Sequence, residues 1–313
     1  MYKQKTIGVC IPAHNEEKFI GAVIKEIPDF VDHILIVDDN SRDKTGDAAN
    51  AVRDQRVEVL RNEKNLGVGG ATLRGFARAL ELGCDVLVKM DGDGQMPVEC
   101  LPALIDAVID GGYDMAKGNR FLSGKNLERM PRHRIFGNMV STFFTKMATG
   151  YWHIFDPQNG FLALRAESMR KIDTAKIHHG FFFENDMLFH MKLIDARVKD
   201  VAIPTIYGEE QSDIKVSHVL MTFPGLLFNR WIKRIYIKYI LTDFSPIALF
   251  LISGVILFFG GLIFGSVMWI KGVLTQKITT TGTVMLSVLP LIVGFQLLLQ
   301  SVVMDIHENE RFK

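Results

Sequence analysis

The sequence predicts an α/β protein: a doubly wound, mostly parallel sheet, followed by amphipathic interfacial helices and a transmembrane helical hairpin. Three observations predict it. Through the N-terminal part of the chain, short β-branched and aliphatic runs alternate with segments of helical period, as in strand–helix–strand units. Acidic and amide side chains gather where those runs end, and in a doubly wound sheet that rim is where ligands bind. Near the C-terminus, two stretches carry no charge over the length of a membrane span.

The elements follow in order. "TIGVCIPA" (6–13) is a β-rich run that reaches Pro12. "EEKFIGAVIKEI" places Phe19, Ile20, Val23, Ile24 and Ile27 at helical spacing. "HILIVDD" is a second strand ending in two acids, and "RVEVLRN" is a third. "GGATLRGFARALEL" is helical, with Gly83 as its stop. "CDVLVKMD" is a fourth strand. "PVECLPALIDAVIDGG" is a helix with Pro97 in its first turn, and "YDMAKGNR" is a fifth strand. The start "MYKQKTIGVCIPAHNEE" has no long apolar core and reads as a first strand, not a signal peptide.

The 246–270 stretch "PIALFLISGVILFFGGLIFGSVMWI" is uncharged and forms about 37 Å of helix. A second uncharged stretch, 284–304, follows a short polar linker, so the pair reads as a membrane hairpin. "NRWIKRIYIKY" precedes it with Arg230, Lys233, Arg234 and Lys238, which places the N-terminal domain in the cytosol. Trp231, Tyr236 and Tyr239 suit an interfacial belt. The expected organisation is a cytosolic catalytic domain (1–216), amphipathic juxtamembrane helices (217–245), two transmembrane helices (246–304) and a cytosolic tail (305–313). The whole would sit in the cytoplasmic membrane as a multi-pass protein. Gly254, Gly260, Gly261 and Gly265 offer small-residue faces for close helix packing, pointing to a homo-oligomer such as a tetramer.

Charge excludes one class of partner. The 36 Lys and Arg nearly balance the 35 Asp and Glu, so no global field favours nucleic acid. Cys10, Cys84 and Cys100 match neither a disulfide framework nor a zinc spacing.

The chemistry centres on "VLVKMDGDGQ" (86–95). In extended chain, Asp91, Asp93 and Gln95 share a face, and Gly92 and Gly94 leave room for a ligand at the backbone. Two carboxylates and an amide oxygen suit a hard cation, Mg2+ or Mn2+, which completes its shell with substrate phosphates. Asp-Gly pairs are also ordinary turn vocabulary, so a solvated turn stands beside that reading. "VDDNSRDKT" puts Asp38 and Asp39 where hydroxyls or ring N–H groups of a nucleoside could donate to them; one of the two also suits a helix cap. "NLGVGGATLRG" is glycine-rich but lacks G-x-G-x-x-G and is weak as dinucleotide evidence.

Taken in order, "IPAHNEE", "VDDNSRDKT", "NLGVGGA", "DGDGQ" and "DPQNGF" resemble glycosyltransferase family 2, within it the polyprenyl-phosphate sugar synthases of the dolichyl-phosphate mannose synthase type. The resemblance covers about the first 240 residues, and the two-span tail matches one subtype. It implies a GT-A fold and a nucleoside-diphosphate sugar donor. By position, Pro12, His14, Glu16, Val37 and Asp39 would line the nucleoside pocket. Asp91 and Gly92 would touch the nucleotide, while Asp93 and Gln95 would ligate the metal. Arg120 would contact donor or acceptor phosphate; Arg132 and Arg134, in "RHRIFGNMVSTFF", would meet the lipid phosphate. Asp156, Gly160, Phe161 and Arg165 match the D-x-x-x-G-F segment, and Asp186 falls on the acid that faces the acceptor. Thr205 stands where the family often has arginine, whereas Ser212 and Lys215 match the later serine and lysine, so the diphosphate would lean on Lys215 and the metal.

The resulting expectation is an inverting, metal-dependent transfer of a sugar to a polyprenyl phosphate, either undecaprenyl or dolichyl. That acceptor is an anion and needs no general base. The alternative is a membrane transferase that extends a saccharide at a hydroxyl, for which Asp186 or Glu184 would serve as base. An acid at a helix start is also favoured by the helix dipole alone, a purely structural reading of Asp186.

Overall fold

The structure, a computed structural model, describes the backbone of residues 1–122, 132–204 and 216–309 and the side chains of 1–122, 137–204 and 222–308. Two compact units emerge, Met1–Arg230 and a second that begins at Trp231.

The first unit holds a seven-stranded sheet of β1 (Ile7–Ala13), β2 (His33–Asp38), β3 (Val57–Arg61), β4 (Val86–Lys89), β5 (Met115–Asn119), β6 (Leu162–Arg165) and β7 (Val198–Ala202). Its order is β3-β2-β1-β4-β6-β5-β7. All pairings are parallel except those of β6, which runs antiparallel between β4 and β5. β6 and β7 were not legible as strands in the sequence, because "LALR" and "VKDVA" are short and have no strong period.

Alternation along each strand sorts the core onto two faces. Ile7, Val9 and Ile11, Ile34 and Ile36, and Val86 and Val88 pack with α1 (Ile20–Glu26) and α4 (Leu101–Ile109). Cys10, Leu35, Val37 and Leu87 point the other way, onto α3 (Gly67–Glu81) and α7 (Phe183–Leu193). Both faces are covered, which is why these strands read as continuous apolar runs. The short helices α2 (Thr45–Asn50) and α6 (Ala166–Arg170) and the longer α5 (Arg132–Thr149) also belong to the unit. Gly83 ends α3 as expected, in the left-handed conformation (φ 78°). The fourth helix begins later than the sequence suggested: a 3-10 turn spans Val98–Cys100, so Pro97 precedes the helix and Pro102 occupies its first turn.

Helix α8 (Val216–Arg234) runs into a π-helical stretch, Ile235–Thr242. The second unit then carries α9 (Pro246–Thr275) and α10 (Thr281–Asn309), both long and apolar enough to cross a membrane. Ser245 caps α9 by accepting from the Ile247 N–H at 3.1 Å, with Pro246 at the first helical position. The glycines are used inside this hairpin. A Cβ on Gly261 would meet the Ser287 carbonyl oxygen at 2.8 Å, one on Gly254 would meet the Leu298 nitrogen at 3.0 Å, and one on Gly265 would strike the Ser287 hydroxyl. Gly260 alone of the four faces open space.

Helix α3 lies so close to the sheet that a Cβ at Gly75 would collide with the Cys10 sulfur and meet Val37 Cγ2 at 3.2 Å. Gly75→Ala is therefore expected to cost about 1–3 kcal/mol by overpacking. Adding Cys10→Ala in the same chain should restore part of it, as read by denaturant unfolding followed by circular dichroism in detergent.

Candidate active site

The strand order reverses between β1, which leads to β2 on one side, and β4 on the other. Such a reversal opens a crevice at the carboxyl ends of the strands. The loops after β1 and β4 converge there: a Cβ on Gly92 would lie 3.4 Å from Glu16 Cγ and 3.6 Å from Ala13 Cβ.

The β1 loop is tied to the β2 loop. Asn15 takes a left-handed conformation (φ 62°); its N–H donates to Ser41 Oγ at 3.0 Å, and its Oδ1 accepts from the Arg42 N–H at 2.9 Å. The Glu16 N–H donates to Thr45 Oγ1 at 2.8 Å. His14 donates from Nδ1 to the Asp39 carbonyl at 2.9 Å, since a carbonyl only accepts. Asp39 is buried, and its carboxylate accepts from Asn62 Nδ2 at 2.6 Å and from the Leu66 and Gly67 N–H groups at 2.8 Å. It thus anchors the start of α3. Val37 is buried in the core against α3, and Pro12 pairs with it across the sheet.

The glycine-rich stretch has a role the sequence did not reveal. The Gly69 and Gly70 N–H groups donate to the His179 carbonyl at 2.7 and 3.1 Å. A Cβ on Gly69 would fall 2.6 Å from the His178 oxygen, and one on Gly67 would fall 2.7 Å from the His179 oxygen. These glycines let the segment before α7 press against α3, and two N–H groups a phosphate could have used are taken.

β4 stops at Lys89, so strand alternation does not carry Asp91, Asp93 and Gln95 onto one face. A turn does the bending, with Gly94 left-handed (φ 72°) and Asp93 Oδ1 accepting from the Gln95 N–H at 2.9 Å. All three side chains are half-buried. Burial pushes the Asp93 carboxyl above its ordinary value and the charge of Asp91 adds to that, outweighing the Gln95 N–H and Lys89. The donor types in this turn, two carboxylates and a carboxamide, are those a hard divalent ion takes. Among the described residues, no three His, Cys, Asp or Glu side chains form a metal cluster, so phosphate oxygens would have to complete the shell.

Beneath this turn sits Lys89, fully buried. Its Nζ donates to Asp91 Oδ1 at 2.6 Å and lies 3.1 Å from Glu184 Oε1. Burial alone would lower the lysine's pKa; the two carboxylates outweigh it and hold Lys89 charged. Burial raises Glu184, more than Lys89 lowers it. A second buried lysine, Lys117, donates to the carbonyls of Gly118 and Phe155 at 3.1 Å and of Asp156 at 2.6 Å, with Asp200 Oδ1 at 3.7 Å. It pins the "DPQNG" loop. Sequence reasoning passed over both lysines, although a lysine inside an apolar strand run ("VLVK", "MAKGN") needs a buried partner and is itself a signal.

Arg120, just after β5, is bound by that loop. Its Nε and Nη2 each donate to the buried Asp156 carboxylate at 2.8 Å. Asp156 would be raised by burial, but Arg120 outweighs this and lowers it. Asp156 is left-handed (φ 50°), strain of the sort that clusters at functional sites.

Asp186, on the first turn of α7, is fully buried. Arg230 of α8 grips it through Nε at 2.5 Å and Nη2 at 2.8 Å, and the His178 N–H adds a bond at 2.7 Å. The guanidinium also lies over the Phe189 ring, and Phe182 packs edge-on to Phe223. The side chains of Arg132 and Arg134, and Thr205, Ser212 and Lys215 altogether, lie outside the described residues.

The sheet order and the acids at its switch point are those of a GT-A-like fold. Residues 8–173 match the model of the family "Glycosyl transferase family 2". The chain belongs to that family. It is 33% identical over 71% of its length to undecaprenyl-phosphate mannosyltransferase of Micrococcus luteus, covering 91% of that protein. It is 30% identical over 66% of its length to a UDP-N-acetylglucosamine–dolichyl-phosphate N-acetylglucosaminyltransferase of Methanococcus voltae, covering 87% of it. Among solved structures, glucosyl-3-phosphoglycerate synthase of Mycobacterium tuberculosis, in complex with Mn2+, uridine diphosphate and phosphoglyceric acid, superposes with a TM-score of 0.57. That pair shares 19% identity, covers 75% of this chain and 80% of the other, and so shares the fold.

Asp186→Asn should leave the part-buried Arg230 without its countercharge and cost about 3 kcal/mol. Asp186→Asn with Arg230→Gln should recover most of that loss; the measurement is thermal unfolding of the four proteins of the double-mutant cycle.

Proposed function

We propose that the protein transfers a sugar from a nucleoside-diphosphate sugar to a polyprenyl phosphate at the cytosolic face of the cytoplasmic membrane, with inversion at the anomeric carbon. The observation that carries the choice of acceptor is the state of the two candidate bases. Asp186 is committed to Arg230 and Glu184 lies against Lys89, so neither stands ready to deprotonate a hydroxyl. A phosphate acceptor is already an anion and needs only to be held in line. The relatives' printed substrates, undecaprenyl phosphate and dolichyl phosphate, support the same choice.

In this reading the nucleoside lies at the β1 and β2 loops, near His14, Glu16 and Asp39. Asp91 and Gly92 meet the nucleotide, and Arg120, held by Asp156, faces a phosphate. Arg132, Arg134, Ser212 and Lys215 serve the phosphates of donor and acceptor. Asp93 and Gln95 would hold Mg2+ or Mn2+, which when bound offsets the charge that develops on the leaving diphosphate. The chain's own part is to orient donor and acceptor, which needs rigid placement more than proton transfer.

Helices α9 and α10 would span the membrane: their outward faces are exposed and apolar, as with Ile256, Phe259 and Ile263. An assembly through the hairpin would rest on those faces and Gly260, because the other three glycines are consumed within the chain. A mass above that of one chain in mild detergent is the expected result.

Incubation with Mn2+, labelled nucleotide-sugars and short polyprenyl phosphates should give a lipid-linked sugar; no product from any donor would sink the reading. Asp93→Asn and Gln95→Ala should each weaken metal-dependent nucleoside-diphosphate binding by about tenfold or more, read by calorimetric titration with and without Mn2+.

A further inference from the structure

We infer that Lys89 is a positioning residue for Asp91: a buried ammonium that fixes the carboxylate in the orientation the donor meets. The inference rests on the proposed function for what Asp91 touches, and on geometry for the rest. Lys89 is the last residue of β4, in the middle of the sheet, and its side chain is 1% exposed. Asp91 lies just beyond it at the rim, with its side chain 34% exposed. One carboxylate oxygen, Oδ1, accepts from Nζ at 2.6 Å. The other, Oδ2, passes over Gly160, where a Cβ would fall 2.8 Å away and would also strike Nζ. The ammonium is aimed in turn by Glu184 Oε1 at 3.1 Å, from the first turn of α7.

Three segments therefore meet at one ammonium: the end of β4, the loop carrying Gly160, and the start of α7. A methionine would fill this volume without the cost of burying a charge. What it would not supply is a directional donor that holds the carboxylate against rotation. A donor arriving at a carboxylate already held faces no reorganisation at the moment of reaction. The competing account is that Lys89 only balances the buried Glu184, and removing both charges separates the two.

The test compares the parent, Lys89→Met, Lys89→Met/Glu184→Gln and Asp91→Asn, each as the full chain in detergent. Lys89→Met alone should be less stable, since two carboxylates lose their countercharge. The double variant should unfold near the parent temperature. Even so, its donor kcat/KM should fall by about tenfold or more, with acceptor KM unchanged. On an Asp91→Asn background, the same pair of changes should add less than about twofold. A structure of the double variant without substrate should show the Asp91 carboxylate turned from its place. A stable double variant with Asp91 unmoved and donor kcat/KM within about twofold of the parent would overturn the inference. The Asp91 orientation is read with no substrate present, so a parent lacking transferase activity strikes the proposed function, and an unmoved Asp91 strikes the role of Lys89.

Discussion

The site depends on one constraint: a charge carried into the middle of a sheet covered on both faces must find its opposite there. Lys89 on β4 and Lys117 on β5 stand on either side of β6, both fully buried. An isolated ammonium in such surroundings would cost far more than the fold can supply. Each therefore recruits acceptors: Lys89 takes Asp91, two residues on, and Glu184 from α7, and Lys117 takes the carbonyls of Phe155 and Asp156. The segments that carry those acceptors are the ones that form the rim of the crevice, so satisfying the lysines also places the rim.

Helix α7 gains its place from both sides of its first turn. Glu184 faces the β4 end, while Asp186 faces α8 and is closed by Arg230. The segment before it is pressed onto α3 because Gly67, Gly69 and Gly70 have no Cβ to hold it off. A run that suggested phosphate binding is thus used for backbone packing, and two carboxylates that suggested bases are used as counterions. In each case a group that looks reactive in sequence is neutralised by a neighbour far along the chain.

In the second unit the same rule acts beside the hairpin. Arg234, which in sequence belongs to the basic cluster before the first span, is buried. It pairs with Asp305 through Nη1 at 2.6 Å and Nη2 at 2.9 Å, and Tyr239 donates to the same carboxylate at 2.5 Å. Removing either partner of an ion pair buried this deeply would strand the other charge, so the two segments are held to one another. The stretch Ile235–Thr242 that follows Arg234 is π-helical, a departure from regular helix often found at functional sites.

What the sequence determined by itself was whatever local period and composition control. The five leading strands, three of the four helices between them, the acids at strand ends, the family and the two apolar spans all follow from runs of neighbouring residues, since burial on both faces or in lipid dictates a continuous apolar pattern, whereas the short polar α2 carries no such pattern. What only the tertiary structure decided was partnership. The insertion of the antiparallel β6 between β4 and β5, the turn that replaces strand alternation at Asp91–Asp93, the tie of Arg120 to Asp156 and the closure of Asp186 by Arg230 join residues separated by 36 and 44 positions in the two ion pairs. A charge's partner is set by which segments the sheet order brings within a few ångströms, and no local pattern records that distance.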